Sequence, residues 1–338
     1  EFMSATAAEG AAAAVYSFAV AMIQDAASER ERAIEAGFRV GEPRFNFPLV
    51  WARLAVYLDP SLDEARHLVG FILSLYGDHA GAAAALSPIP PSSPYFAQSR
   101  LDMATGLIAA KKMREAERLL KAAIRQDADS RELKAALATL HADQRNHEAA
   151  VAEFDKVIDS LGAETPPGAW RYFVARAASL IELDRWPEAE RDLKRAVNLA
   201  PGEPTALNYL GYSWAERGLH LDEAFTLLET AIEKAPHSGA IVDSLGWAQY
   251  QLGRYEEAVL NLEKAAAMEP SDPTITDHLG DAYWHVGRQL EATFQWRHAV
   301  DLQPEPEDLA RIQKKLKEGL KPAGSPTSAQ NETPSKAQ

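Results

Sequence analysis

The sequence predicts an all-α array of stacked helical hairpins, and three recurrences carry that expectation. Gly211, Gly246 and Gly280 stand 35 and 34 residues apart, and Gly218, Gly253 and Gly287 follow each of them by seven. Ala224, Ala258 and Ala292 recur at steps of 34, as do Ala231, Ala265 and Ala299. Pro201, Pro236, Pro270 and Pro304 close the units at steps of 35, 34 and 34. Small residues at fixed offsets in a period near 34 mark repeated helix–turn–helix units. Each of these must stack on a neighbour to bury its apolar stripe.

Taken from the start, residues 1–10 read as a flexible beginning, with Glu1-Phe2-Met3 resembling a vector remnant. Residues 11–62 form a divergent helical unit. Its helices, VYSFAVAMI (15–23) and PLVWARLAVYLDP (48–60), are separated by an irregular insert at 25–46. Residues 63–169 hold degenerate repeats beginning near Asp63, Ala97 and Arg131; the first has a short second helix because Pro88, Pro90, Pro91 and Pro94 interrupt it. Residues 170–304 hold well-formed repeats beginning at Trp170, Pro204, Gly239 and Pro273. In the last of these, Ile275, Leu279, Ala282, Tyr283 and Val286 fall at helical spacing. Gly287 then lets the chain leave the helix in a left-handed conformation. Ala292, Trp296 and Ala299 make the second stripe, and Pro304 ends it. Residues 305–320 give an amphipathic capping helix with Leu309, Ile312, Leu316 and Leu320 on one face. Residues 321–338 lack apolar periodicity and are expected to be disordered.

This pattern resembles the tetratricopeptide repeat (TPR) family. Counted from Gly239 as position 1, the family's small residue at 8, Ala at 20, Leu at 24, Ala at 27 and Pro at 32 are met by Gly246, Ala258, Leu262, Ala265 and Pro270. The resemblance implies a right-handed superhelical solenoid of about seven or eight hairpins with a C-terminal cap. It also implies that positions 2, 5, 9, 12 and 13 of the first helices line a groove. Here those positions hold Asn208 and Tyr212, then Asp243, Trp247, Tyr250 and Gln251, then Asp277, Asp281, Trp284 and His285. Such an aromatic and acidic strip would hold a polypeptide partner, the rings for area and the acids for Lys, Arg or free amides. The family's cationic clamp for a terminal carboxylate is not reproduced, since position 5 holds Val174, Asn208, Asp243 and Asp277. Trp170, Trp186 and Trp296 read as packing residues.

Composition narrows the classes further. With 35 basic and 49 acidic residues the net charge is −14, which disfavours nucleic acid as a partner. No cysteine is present, so disulfides, thiolate metal sites and cysteine nucleophiles are excluded within the chain. Phosphate-binding glycine loops, nucleophile elbows and HExxH are absent, and neither a cofactor nor an enzymatic activity is expected. One alternative places a metal-dependent site at Asp277, Asp281 and His285, which share a helix face at i, i+4 and i+8. Another is self-assembly into a TPR oligomer. No uninterrupted run of 18 apolar residues occurs, so no membrane span is expected.

NYLGYSWAERG (208–218), IVDSLGWAQYQLGRYEEAV (241–259) and DPTITDHLGDAYWHVGR (272–288) are similar to the C-terminal repeats of bacterial outer-membrane TPR lipoproteins. Those proteins are adaptors of carboxyl-terminal processing proteases. The resemblance implies a non-catalytic scaffold in the periplasm or at the outer membrane that binds such a protease or its substrates. A cytoplasmic location is the alternative, and the sequence itself shows no targeting signal.

Overall fold

The computed structural model describes residues 7–36, 38, 45–162 and 165–320; of the flexible start expected at 1–10, residues 1–6 lie outside them, as do part of the insert and the tail at 321–338, while residues 7–10 are helical. Among the described residues there are seventeen α-helices and no strand. They pair as eight hairpins followed by a single helix, and the chain divides into two compact units, Glu1–Gly162 and Ala163–Gln338.

The first unit comprises α1 (Ala7–Glu35), α2 (Asn46–Leu58), α3 (Asp63–Leu75), α4 (His79–Leu86), α5 (Phe96–Ala109), α6 (Met113–Gln126), α7 (Arg131–Asp143) and α8 (His147–Asp159). Phe96, Leu120, Leu133 and Leu140 are sealed in its middle. α4 is short, as the prolines after it require, and Arg100 donates to the carbonyls of Leu86 and Ile89 where the chain leaves the helix.

α1 corrects the extent of the insert and bears on the expected absence of a membrane span. The helix continues through Glu35, so the irregular connection is shorter than 25–46. Ala7–Ile34 is also long and apolar enough to cross a membrane by length and composition, and little of it is buried. Counting uninterrupted apolar residues misses this because the alanine-rich segment is interrupted early by Glu9 and Gly10 and later by Gln24 and Asp25. In the structure the helix lies on α2, with Ala12 and Ala19 buried and Phe18 edge-on to Trp51 at 5.3 Å.

The second unit comprises α9 (Trp170–Glu182), α10 (Trp186–Leu199), α11 (Pro204–Glu216), α12 (Leu221–Lys234), α13 (Gly239–Gln251), α14 (Tyr255–Met268), α15 (Pro273–His285), α16 (Gln289–Asp301) and α17 (Pro306–Glu318). Proline at the first turn of α11, α15 and α17 forgoes an amide that would have no helical partner. At α15 the Asp272 carboxylate accepts from the amides of Thr274 and Ile275, at 2.7 and 3.2 Å. Gly287 (φ +83°) reverses the chain after α15, and Arg288 N–H donates to the Tyr283 carbonyl across the turn. Lys111, Arg145 and Asp184 adopt the same left-handed backbone at the equivalent turns without glycine's freedom.

Small residues set the spacing within each pair. A Cβ on Gly280 would lie 2.5 Å from Trp296 Nε1, so only glycine lets α15 lie on α16 at this distance. Trp296 is fully buried and donates to Asp281 Oδ1 at 2.9 Å, which fits its predicted packing role. Trp186 is half-buried under the Arg217 guanidinium, 4.3 Å from the ring centre, and Trp170 is also half-buried. First helices pack directly on first helices, α11 on α13 and α13 on α15, so the face they share is the tightly curved one.

Candidate functional site

The ten residues expected to line the groove come together on α11, α13 and α15, but less openly than their repeat positions imply. Asp243, Trp247, Asp277 and Asp281 are buried, and Asn208, Tyr212, Tyr250, Gln251, Trp284 and His285 are half-buried. The exposed aromatic strip is therefore corrected. Trp247 is 6% exposed, stacked between Tyr250 at 4.7 Å and the His278 ring at 4.0 Å. His285 extends the stack: it bonds the Tyr250 hydroxyl at 3.2 Å and lies on Tyr255 at 4.7 Å. These rings pack against one another between hairpins, which seals Trp247 and leaves the half-buried Tyr250 and His285 with less open surface. Burial holds the Tyr212 and Tyr250 hydroxyls well above the ordinary tyrosine range, so both stay neutral.

The acids are covered for a different reason. Lys315, on α17, places its ammonium 2.8 Å from both oxygens of Asp277 and 2.7 Å from Asp281 Oδ2. Arg311 reaches Asp277 at 3.2 Å. Trp284 Nε1–H donates to the Leu320 carbonyl at 3.0 Å, which closes the end of α17 over α15. Burial raises the Asp281 carboxyl above its ordinary value against the pull of Lys315. The metal alternative at Asp277, Asp281 and His285 is overturned by the same geometry. Both carboxylates converge on an ammonium, and the described residues contain no cluster of three or more ligating side chains that could hold a metal.

One hairpin earlier the arrangement repeats with different chemistry. His278 Nδ1 lies 3.0 and 3.1 Å from the two oxygens of Asp243, both groups buried. Burial opposes the imidazolium, but the Asp243 carboxylate outweighs it and holds His278 above its ordinary pKa. His278, Arg311 and Lys315 were not among the expected groove residues. Repeat register could have found two of them, because His278 and Arg311 each occupy position 6 of the element that follows an acid at position 5.

A cavity of ≈ 380 Å³ opens on the first-helix face, lined by Asn208, Tyr209, Tyr212, Asp243, Ser244 and Thr274, among others. Three expected residues, Asn208, Tyr212 and Asp243, line it. Tyr209, which repeat position alone did not select, is 40% exposed beside it.

A family model described as Tetratricopeptide repeat matches residues 101–169 and 174–239, and one described as TPR repeat matches 246–287; together they cover more than half of the chain. The chain belongs to the tetratricopeptide repeat family. The TPR fold is typically a non-enzymatic scaffold for protein–protein interaction. A TPR repeat-containing protein of Pseudomonas aeruginosa is 37% identical over 71 residues, which are 21% of this chain and only 12% of that protein. The fold is similar to that in the Cut9–Hcn1 hetero-tetramer of APC/C, with TM-score 0.60 and 17% identity over 82% of this chain and 53% of that one. A TPR protein from Parabacteroides merdae matches with TM-score 0.58 and 16% identity, over 75% of this chain and 98% of that one. Yeast Tom70 matches with TM-score 0.51 and 15% identity, over 82% of this chain and 61% of that one.

Proposed function

We propose that this TPR chain is an adaptor that holds an extended polypeptide segment against the first helices of its second unit. The observation that carries the reading is the open cavity between α11, α13 and the start of α15. It lies on the curved face the repeats share, on a surface assembled before any partner arrives. A rigid receptor of this kind limits the ordering cost of binding to the segment itself. Tyr209 offers a large half-wet ring at the rim, the type of group that dominates peptide contacts.

The segments 208–218, 241–259 and 272–288 support a more specific version: an adaptor in the cell envelope whose partner is a carboxyl-terminal processing protease or its substrate. That version rests on resemblance. A pull-down from an envelope fraction with the wild-type chain and a Tyr209→Ala variant tests both levels. Recovery of such a protease by the wild type, lost in the folded variant, is the expected result. Recovery of the protease by both chains alike would remove the cavity from the binding surface, and its absence from both would remove the protease.

A further inference from the structure

The hairpins of the second unit are tied by a ladder in which position 5 of one first helix faces position 6 of the next. Asp277 receives Arg311, with Lys315 one turn further along α17, and Asp243 receives His278. On the preceding rung the acceptor is Asn208 and the facing residue is Ser244. Ser244 has no basic group to offer, and its hydroxyl turns back to the Ala240 carbonyl at 2.9 Å. Asn208 Oδ1 is enclosed and has no hydrogen-bond partner among the described protein groups. The cavity lies at that rung, with Asn208 and Ser244 both in its wall.

The geometry points to this cavity as the receptor for a lysine or arginine side chain carried by an extended partner segment, which supplies the missing base in trans. The inference rests on the groove-binding reading above and adds the chemistry of the guest. Four features agree with it. A half-turn of the Asn208 amide about its last torsion presents the orphaned oxygen to the cavity. Asp243 and Asp272 line the space, and no lysine or arginine does. Tyr209 and Tyr212 also line it, and aromatic rings favour a guanidinium or ammonium nearby. On the neighbouring rung the same register holds His278 at 1% exposure against Asp243, so this scaffold accepts a desolvated base there.

The test starts from a random dodecapeptide library displayed on phage and selected on the full chain. Selected peptides are synthesised with a fluorophore, and their affinities are measured by anisotropy at physiological salt, where long-range attraction to an acidic chain is screened. We expect the selected peptides to share one Lys or Arg. Replacing it by norleucine should weaken binding tenfold or more, and Asn208→Asp should tighten it severalfold. Ser244→His, which builds the rung from within, should weaken it tenfold or more. Peptides that lose affinity with Tyr209→Ala but ignore norleucine and both rung substitutions would overturn the inference while leaving the groove reading intact. Peptides indifferent to every cavity substitution, or no selected peptide at all, would overturn both. If Ser244→His fails to fold, the norleucine series and Asn208→Asp decide alone.

Discussion

Replacing Lys315 by methionine probes the strongest electrostatic feature of the molecule. In the wild type one ammonium, 9% exposed, serves two carboxylates that are 0 and 5% exposed. Methionine preserves much of the length and apolar stem but leaves Asp277 and Asp281 without it. Removing one partner of a buried ion pair costs about 3–5 kcal/mol, because the remaining charge is stranded. The chain has one way to limit that loss, which is to release α17 and let water reach the acids. Release exposes Ile312, which is 1% exposed, and more of Leu316 and Leu320, which are already half-buried. At about 1.5–3 kcal/mol for each fully buried side chain, and less for the half-buried pair, release costs about as much as staying docked. The expected outcome is therefore local opening: amides of 306–318 lose hydrogen-exchange protection by two or more orders of magnitude, while α11 and α13 keep theirs. Adding Asp277→Asn and Asp281→Asn should restore much of that protection, since a buried pair replaced as a whole is far less costly than one partner removed. Unchanged protection of 306–318 in Lys315→Met would refute the argument.

Three further outcomes follow from the same structure. Trp296→Ala removes the largest fully buried side chain and the donor to Asp281, and should lower the unfolding free energy of the second unit by about 3–5 kcal/mol in urea titration. Lys111→Gly relieves a left-handed residue at φ 58°, and should raise the stability of the first unit by about 0.5–1 kcal/mol; a loss would show that the lysine side chain matters more than its backbone. Because the folded pKa of His278 lies above its ordinary 6.5, its stabilising effect is complete below that value and fades as pH climbs through the folded one. Asp281, raised chiefly by burial, works in the same sense from 3.8 upward. Thermal melts from pH 6 to 9 should show the wild type losing stability and His278→Gln losing less; parallel slopes would contradict this.

The hairpin order, the left-handed turn at Gly287 and the burial of Trp296 were all legible in the sequence, because each repeats at the period of the array. Legibility failed where the answer depends on the next hairpin along. Asp243, Asp277 and Asp281 occupy groove positions by count, yet what covers them comes from His278, Arg311 and Lys315, 34 to 38 residues later. Trp247 was lost to the groove for a related reason: its neighbours at stacking distance are aromatic, and flat rings bury one another before a guest can use them. Lys111 and Asp184 show a different limit, since nothing in their side chains announces a left-handed backbone.

The way α17 sits on α15 also decides what the molecule would present if residues beyond 305 were trimmed away. A neutralised terminus would become a bare anionic one, with Asp277, Asp281 and the ring of Trp284 turned to solvent together. Clipping that single helix would thus create a new sticky edge, attractive to cations and to the detached helix itself, from a boundary that is electrostatically quiet in the intact chain.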